Sequence, residues 1–295
     1  MDNGSSQKVR LNSVRAAIAV ASAKGGTGKS ALTVNLAAQL ALLGRKVGII
    51  DADADSPSIL DFLGLFPRTV VVSDDSIEPV IGPLGLEIAE WNLAAFNSEC
   101  ITAPFPLDGD FELNGGREPE LTSSTLSKLD DFARAVRFHS RDVVFLDLAP
   151  GISAMRQAAQ SIELAGVIAV THCSPSALRA TANLLKAAKE MGLQVAGIIE
   201  NMNVYYCDGC RSVRALLPRG DAAELSRNSG VPLLARLPFD PRMADTVERG
   251  VLFCKEFADS PLAKQIAALA QKLLEAINLQ RPTSFASGGG VFAPS

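Results

Sequence analysis

The chain is short of several features, and each shortage removes a class of protein. In its 295 residues there is no uninterrupted run of about 18 uncharged apolar residues, the length that a membrane-crossing helix requires. The opening residues, Met1 to Lys8, lack the apolar centre of a secretory leader. A cytoplasmic protein with no stable membrane association is therefore expected. Basic side chains carry no excess: 28 Lys and Arg stand against 32 Asp and Glu, and no dense cationic cluster offsets the net charge of −4. Nucleic acid, which needs a local positive field, is not an expected partner. Cysteines number five, and an odd count in a reducing compartment argues against a disulfide framework. Charged residues make up only 20%, against 47% hydrophobic ones, which permits a sizeable core and excludes global disorder. There is no internal repeat.

What the chain does have is rhythm. Apolar runs of strand length at 16–22, 46–51, 142–147, 166–171, 194–200 and 233–237 alternate with helical periodicity at 30–43, 126–138, 175–191 and 221–229. This alternation predicts an α/β fold, a mainly parallel twisted sheet with helices on both faces. Gly44 and Gly192 are placed to end the first and third of those helices. Residues 15–279 form the expected domain, between a flexible N-terminus at 1–14 and a flexible Gly- and Ser-rich tail at 280–295. A turn-rich stretch at 104–119 reads as a surface excursion. A further apolar stripe from Pro261 to Leu274 has few cations and reads as a last packing helix.

The first strand runs directly into Lys24-Gly25-Gly26-Thr27-Gly28-Lys29-Ser30. Three glycines allow a tight turn whose N–H groups converge on phosphate oxygens, so the backbone from Gly25 through Gly26, Thr27, Gly28, Lys29 and Ser30 to Ala31 is the expected nucleotide cradle. In this phosphate-loop pattern Lys29 reaches the β- and γ-phosphates, Ser30 offers its hydroxyl to Mg²⁺, and the helix that opens there aims its positive end at the anion. Ala23 stands where the usual pattern has its first glycine, and Lys24 follows it. That variant resembles the deviant Walker A of the SIMIBI ATPases, the class of MinD, ParA, nitrogenase iron protein and Mrp. The resemblance implies that Lys24 reaches across a homodimer interface to the partner's nucleotide.

Three carboxylates follow at strand ends. Asp51 and Asp53 leave the second strand at the sheet's carboxyl edge, where ligands of open α/β sheets lie, and their spacing of two puts both on one side if the chain stays extended. The resemblance makes Asp53 the residue that orients or deprotonates the attacking water and sets Asp51 nearer the metal shell; the alternative is that one of them caps the following turn. Asp147, after Val143-Val144-Phe145-Leu146, has the Walker B form and is expected to hold Mg²⁺ through water. Gly151, in the turn 148–151, is placed for its N–H to sense the γ-phosphate. Asn201 ends the fifth strand and can offer its amide to the adenine edge, with Pro238 and its neighbours closing the pocket.

The loop 203–212 contains Cys207-Asp208-Gly209-Cys210. Two thiols at this spacing can share one metal centre, but tetrahedral zinc and cubane iron–sulfur sites usually take four protein ligands, so a symmetric dimer would supply the rest. Cys100, Cys173 and Cys254 read instead as small buried hydrophobes. Glu200-Asn201-Met202 followed by Cys207 and Cys210, Asp51-x-Asp53-x-x-Ser56-Pro57-Ser58, and the segment from Gly230 to Gly250 are similar to the signatures of the Mrp (ApbC) family of iron–sulfur carrier ATPases. Ser56 in place of a switch I glycine, Ala149-Pro150-Gly151-Ile152-Ser153-Ala154 in place of the family's switch II Pro-Pro-Gly-Thr-Gly-Asp, and Asp208-Gly209 between the cysteines mark a divergent paralogue. The resemblance implies a slow ATPase that carries a [4Fe–4S] cluster between two subunits and delivers it to apo iron–sulfur proteins. Zinc at the same thiols, and a MinD/ParA-like positioning switch that leaves the cysteines idle, are the alternatives.

Overall fold

The computed structural model describes residues 8–65, 71–73, 76–91, 128–207, 209–210, 212–218 and 220–279. Cys100, the excursion at 104–119 and the tail at 280–295 lie outside them. Along the chain the strands are β1 (Ala17–Ser22), β2 (Val47–Ala52), β3 (Val71–Ser73), β4 (Ser76–Glu78), β5 (Val80–Ile81), β6 (Glu87–Glu90), β7 (Val143–Leu148), β8 (Gly166–His172), β9 (Val195–Asn201), β10 (Tyr205–Tyr206), β11 (Val213–Arg214) and β12 (Leu233–Arg236). The helices are α1 (Lys29–Leu42), α2 (Ile59–Phe62), α3 (Leu129–Ala135), α4 (Ile152–Ser161), α5 (Pro175–Glu190), α6 (Ala222–Ser229), α7 (Arg242–Glu248), α8 (Phe253–Glu256) and α9 (Pro261–Leu279).

Eight strands form one sheet in the order β12-β9-β8-β1-β7-β2-β6-β5, parallel throughout except for the edge strand β5. Alternate residues of a central strand feed opposite cores: Phe145 belongs to the cluster that holds Leu36, Leu40 and Ile266 on one face, and Leu146 to the one that holds Phe132, Met155 and Leu184 on the other. Burial on both faces is why these strands read as unbroken apolar runs. β1 lies between β7 and β8; the chain leaves it for β2 on the β7 side and later crosses from β7 to β8 on its other side, so the strand order reverses around β1, and its carboxyl end is the crevice where such sheets hold ligands. The apolar stripe of α9 (Leu262, Ala263, Ile266, Leu269, Ala270, Leu273) is buried in the same core as α1. No helix among the described residues is long and apolar enough to cross a membrane.

Two expectations need correction. Residues 8–14 are not a loose end: Val9, Leu11 and Val14 are buried, Val9 bridges to Ile162 and Val14 to Arg141. Apolar side chains at every second or third position anchor this lead-in to the core. The helix expected at 126–138 is only Leu129–Ala135 within the described residues. Val136 turns extended and pairs with Ile77, and the Arg137 N–H donates to the Ile77 carbonyl, so an adjacent strand captures the backbone groups that a helix would have used.

Candidate functional site

The phosphate loop bends at two left-handed glycines, Gly26 and Gly28, both with φ near 73°. At Gly28 the requirement is double, because a Cβ there would also lie 2.6 Å from the Asn201 amide nitrogen. That amide donates to the Thr27 carbonyl at 2.9 Å and ties the end of β9 to the loop. A cavity of about 230 Å³ opens above the loop, lined by Gly25 through Ala31 with Ser22, Asp53, Phe62 and Pro150. The Ser22 Oγ and Thr27 Oγ1 atoms are buried and have no hydrogen-bond partner among the described residues. Buried hydroxyls without partners beside a ring of backbone N–H groups suit an oxyanion that supplies the missing acceptors.

Beneath the loop, Asp147 is fully buried and gathers three side chains of α1. Lys29 Nζ lies 2.8 Å from its Oδ1, and the Ser30 hydroxyl donates to its Oδ2 at 2.5 Å. Thr33 Oγ1 stands 3.0 Å from Oδ1 and 2.9 Å from the Lys29 carbonyl, one hydrogen serving both. A serine hydroxyl against a strand-end carboxylate is the hard-oxygen donor pair with which Mg²⁺ is held when phosphates and waters complete its octahedron. The residues present therefore fit that ion.

The paired aspartates separate. β2 ends at Ala52 and the chain then bends, with the Ser56 N–H donating to the Asp53 carbonyl and to Asp53 Oδ1. Asp53 lines the phosphate cavity. Asp51 turns under the bend, where Oδ1 accepts the Asp53 N–H at 3.2 Å and Oδ2 accepts the Ser58 and Ile59 N–H groups at 2.8 and 3.0 Å. Asp51 thus acts as the cap, and the shared side expected for an extended chain does not form. Burial, with neighbouring Asp147 adding to it, pushes the Asp51 carboxyl up to about 6. The Gly151 N–H donates to the Ser22 carbonyl at 2.7 Å, a bond it must exchange before it can face a phosphate.

Lys24 does not line its own phosphate cavity. Its Nζ donates to Ser176 Oγ at 3.0 Å, at the start of α5. Next to the phosphate cavity lies a second one, of about 250 Å³ and mainly apolar, which shares Gly28, Ala31 and Phe62 with it. Asn201, Met202, Pro238, Phe239, Met243 and Val247 are among its walls. Contiguous polar and apolar compartments of this kind accommodate the two ends of a nucleotide.

Cys207 and Cys210 sit on the hairpin of β10 and β11, half-buried and exposed respectively, and neither is in a disulfide. The Cys207 N–H donates to the Ser212 carbonyl at 3.0 Å, and Cys210 Sγ lies 3.0 Å from Ser212 Oγ. Hydrogen bonds from Ser212, then from the Cys207 thiol, bring the Cys210 thiol down to about 7. Among the described residues no cluster of three or more metal-ligating side chains exists, so this pair has no third ligand within its own chain there. Cys173 and Cys254 are buried, as expected of small hydrophobes. Ser22, Thr33, Phe62 and Ser212 were not singled out from sequence. Only Thr33, four residues after Lys29 on one helix face, had a local signal to find it by.

The family described as ParA, NUBPL iron-transfer P-loop NTPase, matches over residues 13–99 and 122–274. An iron-sulfur cluster carrier protein of Saccharolobus solfataricus is 27% identical over 274 residues, covering 92% of this chain and 86% of that one. The cytosolic Fe-S cluster assembly factor NUBP2 of Homo sapiens is 32% identical over 270 residues, 90% of this chain and 94% of its own length. Among solved structures, a nucleotide-binding protein of Archaeoglobus fulgidus in complex with ADP superposes with TM-score 0.63 at 25% identity, covering 86% of this chain and 92% of that one. The septum site-determining protein MinD of Pyrococcus horikoshii, complexed with Mg-ADP, has TM-score 0.59 at 21% identity, covering 90% of this chain and 98% of that one, and shares the fold. With the loop, strand-end carboxylate and parallel sheet in place, the chain belongs to the NUBPL-type iron-transfer P-loop NTPases of the ParA group.

Proposed function

We propose that the protein is an ATP-hydrolysing iron–sulfur cluster carrier of the cytoplasm, in which two copies grip one [4Fe–4S] cargo through Cys207 and Cys210 of each and pass it to apo iron–sulfur proteins. The observation that carries this reading is the thiol pair itself. Two adjacent, accessible thiols stand on a hairpin with no third ligand among the described residues, and a cubane needs four. A second copy is the economical source of the other two. The names of the relatives support the cargo, and the geometry supports the stoichiometry.

On the nucleotide side, the loop from Gly25 to Ala31 holds the phosphates and the apolar cavity beside Asn201 and Pro238 receives the base. Ser30 and Asp147 would hold Mg²⁺, which supplies charge neutralisation on the β- and γ-oxygens. Asp53, at the cavity wall, orients the water whose oxygen bonds to the γ-phosphorus as the bond to ADP breaks. Lys24, turned away from its own phosphate cavity, would serve the partner's nucleotide and make hydrolysis depend on the dimer. Burial of the α9 stripe against the α1 core favours this carrier over a membrane-docked positioning switch.

Anaerobic reconstitution with iron and sulfide, followed by metal and sulfide analysis of the size-separated dimer, tests the reading. About four irons and four sulfides per dimer are expected. Wild-type dimer without iron, bound zinc without sulfide, or unchanged iron in Cys207→Ser would each overturn it.

A further inference from the structure

One wall of the apolar cavity, proposed above to receive the base, is hydrogen-bonded to the root of the cysteine hairpin. Leu237, Pro238 and Phe239 line the cavity. Their backbone groups are bound to the segment that leads to the cysteines: Leu237 N–H donates to the Glu200 carbonyl at 2.8 Å, Asn203 N–H to the Leu237 carbonyl at 3.0 Å, and Phe239 N–H to the Val204 carbonyl at 2.7 Å. Tyr205 pairs in parallel register with Phe239. The two rings meet edge to face, with centroids 6.3 Å apart and planes at 61°. Two residues beyond Tyr205 is Cys207.

The hairpin is also tied to the phosphate side, through the Asn201 amide, which donates to the Thr27 carbonyl. Asn201 is the last residue of β9 and is registered to His172 in the eight-stranded sheet, so that tie is stiff. Between the two ties, Met202 adopts φ 56°, in the left-handed region that a residue with a side chain rarely enters. This bend separates the rigid strand end from residues 203–207. The hairpin's strands are only two residues each, so its orientation depends on the backbone bonds of residues 203–205 to 237–239 and on the ring against which Tyr205 leans.

We propose that Phe239 and Tyr205 are positioning residues: a base seated against Phe239 shifts Tyr205 and thereby the presentation of Cys207 and Cys210. The consequence for cargo rests on the carrier reading above, but the coupling concerns the thiols of the metal-free chain and is read without iron. A population shift of this kind requires that the base interact differently with the two hairpin arrangements, and the Phe239 ring is where that difference arises.

The test is site-resolved alkylation of Cys207 and Cys210 by iodoacetamide, followed by peptide mass spectrometry, on the full metal-free chain. The ligands compared are none, Mg-ADP and Mg-pyrophosphate at saturation, with binding measured in parallel. The expected result is a change of about threefold or more in the alkylation rate with ADP and none with pyrophosphate. Tyr205→Phe, which keeps the ring, should retain the ADP effect. Tyr205→Ala should bind ADP and lose it. An equal change with pyrophosphate routes the signal through Asn201 and overturns the proposal. So does an ADP effect that survives in Tyr205→Ala, an absent ADP effect in the wild type, or loss of ADP binding in Tyr205→Ala. Failure of cluster reconstitution would leave all of these rates untouched, which keeps the two readings apart.

Discussion

The phosphate loop and the cysteine hairpin are built in opposite ways. Asp147 is buried among Lys29, Ser30 and Thr33, each delivered by one helix to one strand end, and β7 is paired on both sides. Cys210 stands in solvent on the loop between two-residue strands, with its Sγ hydrogen-bonded to Ser212. The first site gathers Lys29, Ser30 and Thr33 on Asp147 within one chain and is preorganised, as electrostatic chemistry on a triphosphate demands, with Lys24 the one group proposed to come from a second copy. The second is half a site. On the carrier reading its looseness suits cargo that must be received and released, and its incompleteness would make a second copy part of the chemistry.

The largest effect expected from breaking this contrast is at Lys29. Lys29→Ala removes the ammonium proposed to bind phosphate and leaves Asp147 buried without its counter-charge. ATP hydrolysis should fall by roughly 100-fold or more, and unfolding free energy by about 3 kcal/mol, seen as a lower denaturation midpoint. A variant that keeps both stability and hydrolysis would mean that the loop is not the nucleotide site. Next in size is Cys207→Ser. Iron and sulfide should drop to background while ATP affinity stays within about twofold, because the thiol lies outside both nucleotide cavities. Parallel loss of ATP binding would show that the two regions are not separable.

Legibility from sequence follows the same division. The six strands read from apolar runs end within one residue of their observed limits, since burial on both faces leaves an unmistakable local pattern. The phosphate loop, its following helix and the Walker B strand were legible because their chemistry is contiguous. The helix caps were too: Gly44 and Gly192 both adopt left-handed φ. Strands β4, β5 and β6 were not found, being two to four residues long and too short for any period to register. Helix α4 escaped because its buried face is Met155, Ala158 and Ala159, so small residues hide the periodicity. Capping by one of the paired aspartates was legible only as an alternative, and which one it is, like the hold of Asn201 on Thr27, was illegible for another reason. Each contact joins backbone groups that only the folded chain brings together.

A third prediction sharpens the hairpin side through pH. The Cys210 thiol, brought down to about 7 by hydrogen bonds from Ser212 and then Cys207, gains its thiolate as pH rises through neutrality. Its alkylation rate should be half-maximal near pH 7 and fall toward acid. Cys254, pushed up to about 11 by burial, should stay silent over the same range. Ser212→Ala should move the Cys210 midpoint up toward the ordinary thiol value of about 8.5. An unmoved midpoint would assign the acidity to something other than this serine. Iron loading, which must displace the same proton, should weaken below the midpoint in step.

The smallest effect is the one that bears on which region belongs to which copy. Lys24 donates to Ser176 in its own chain and faces away from its own phosphate cavity, whereas Lys29 is locked to Asp147. If Lys24 serves the partner's nucleotide, the bond to Ser176 is a resting contact that must open before the dimer becomes active. An exposed hydrogen bond of this kind is worth about 0.5 kcal/mol net. Ser176→Ala should therefore raise ATP hydrolysis by no more than about twofold, most visibly at protein concentrations where dimerisation limits the rate. Lys24→Ala should instead abolish the dimer-dependent part of the rate and leave nucleotide binding to the monomer intact. A fall of about tenfold in Ser176→Ala, measured by steady-state phosphate release, would place Ser176 within the hydrolytic machinery and make the Lys24 contact a working one rather than a resting one.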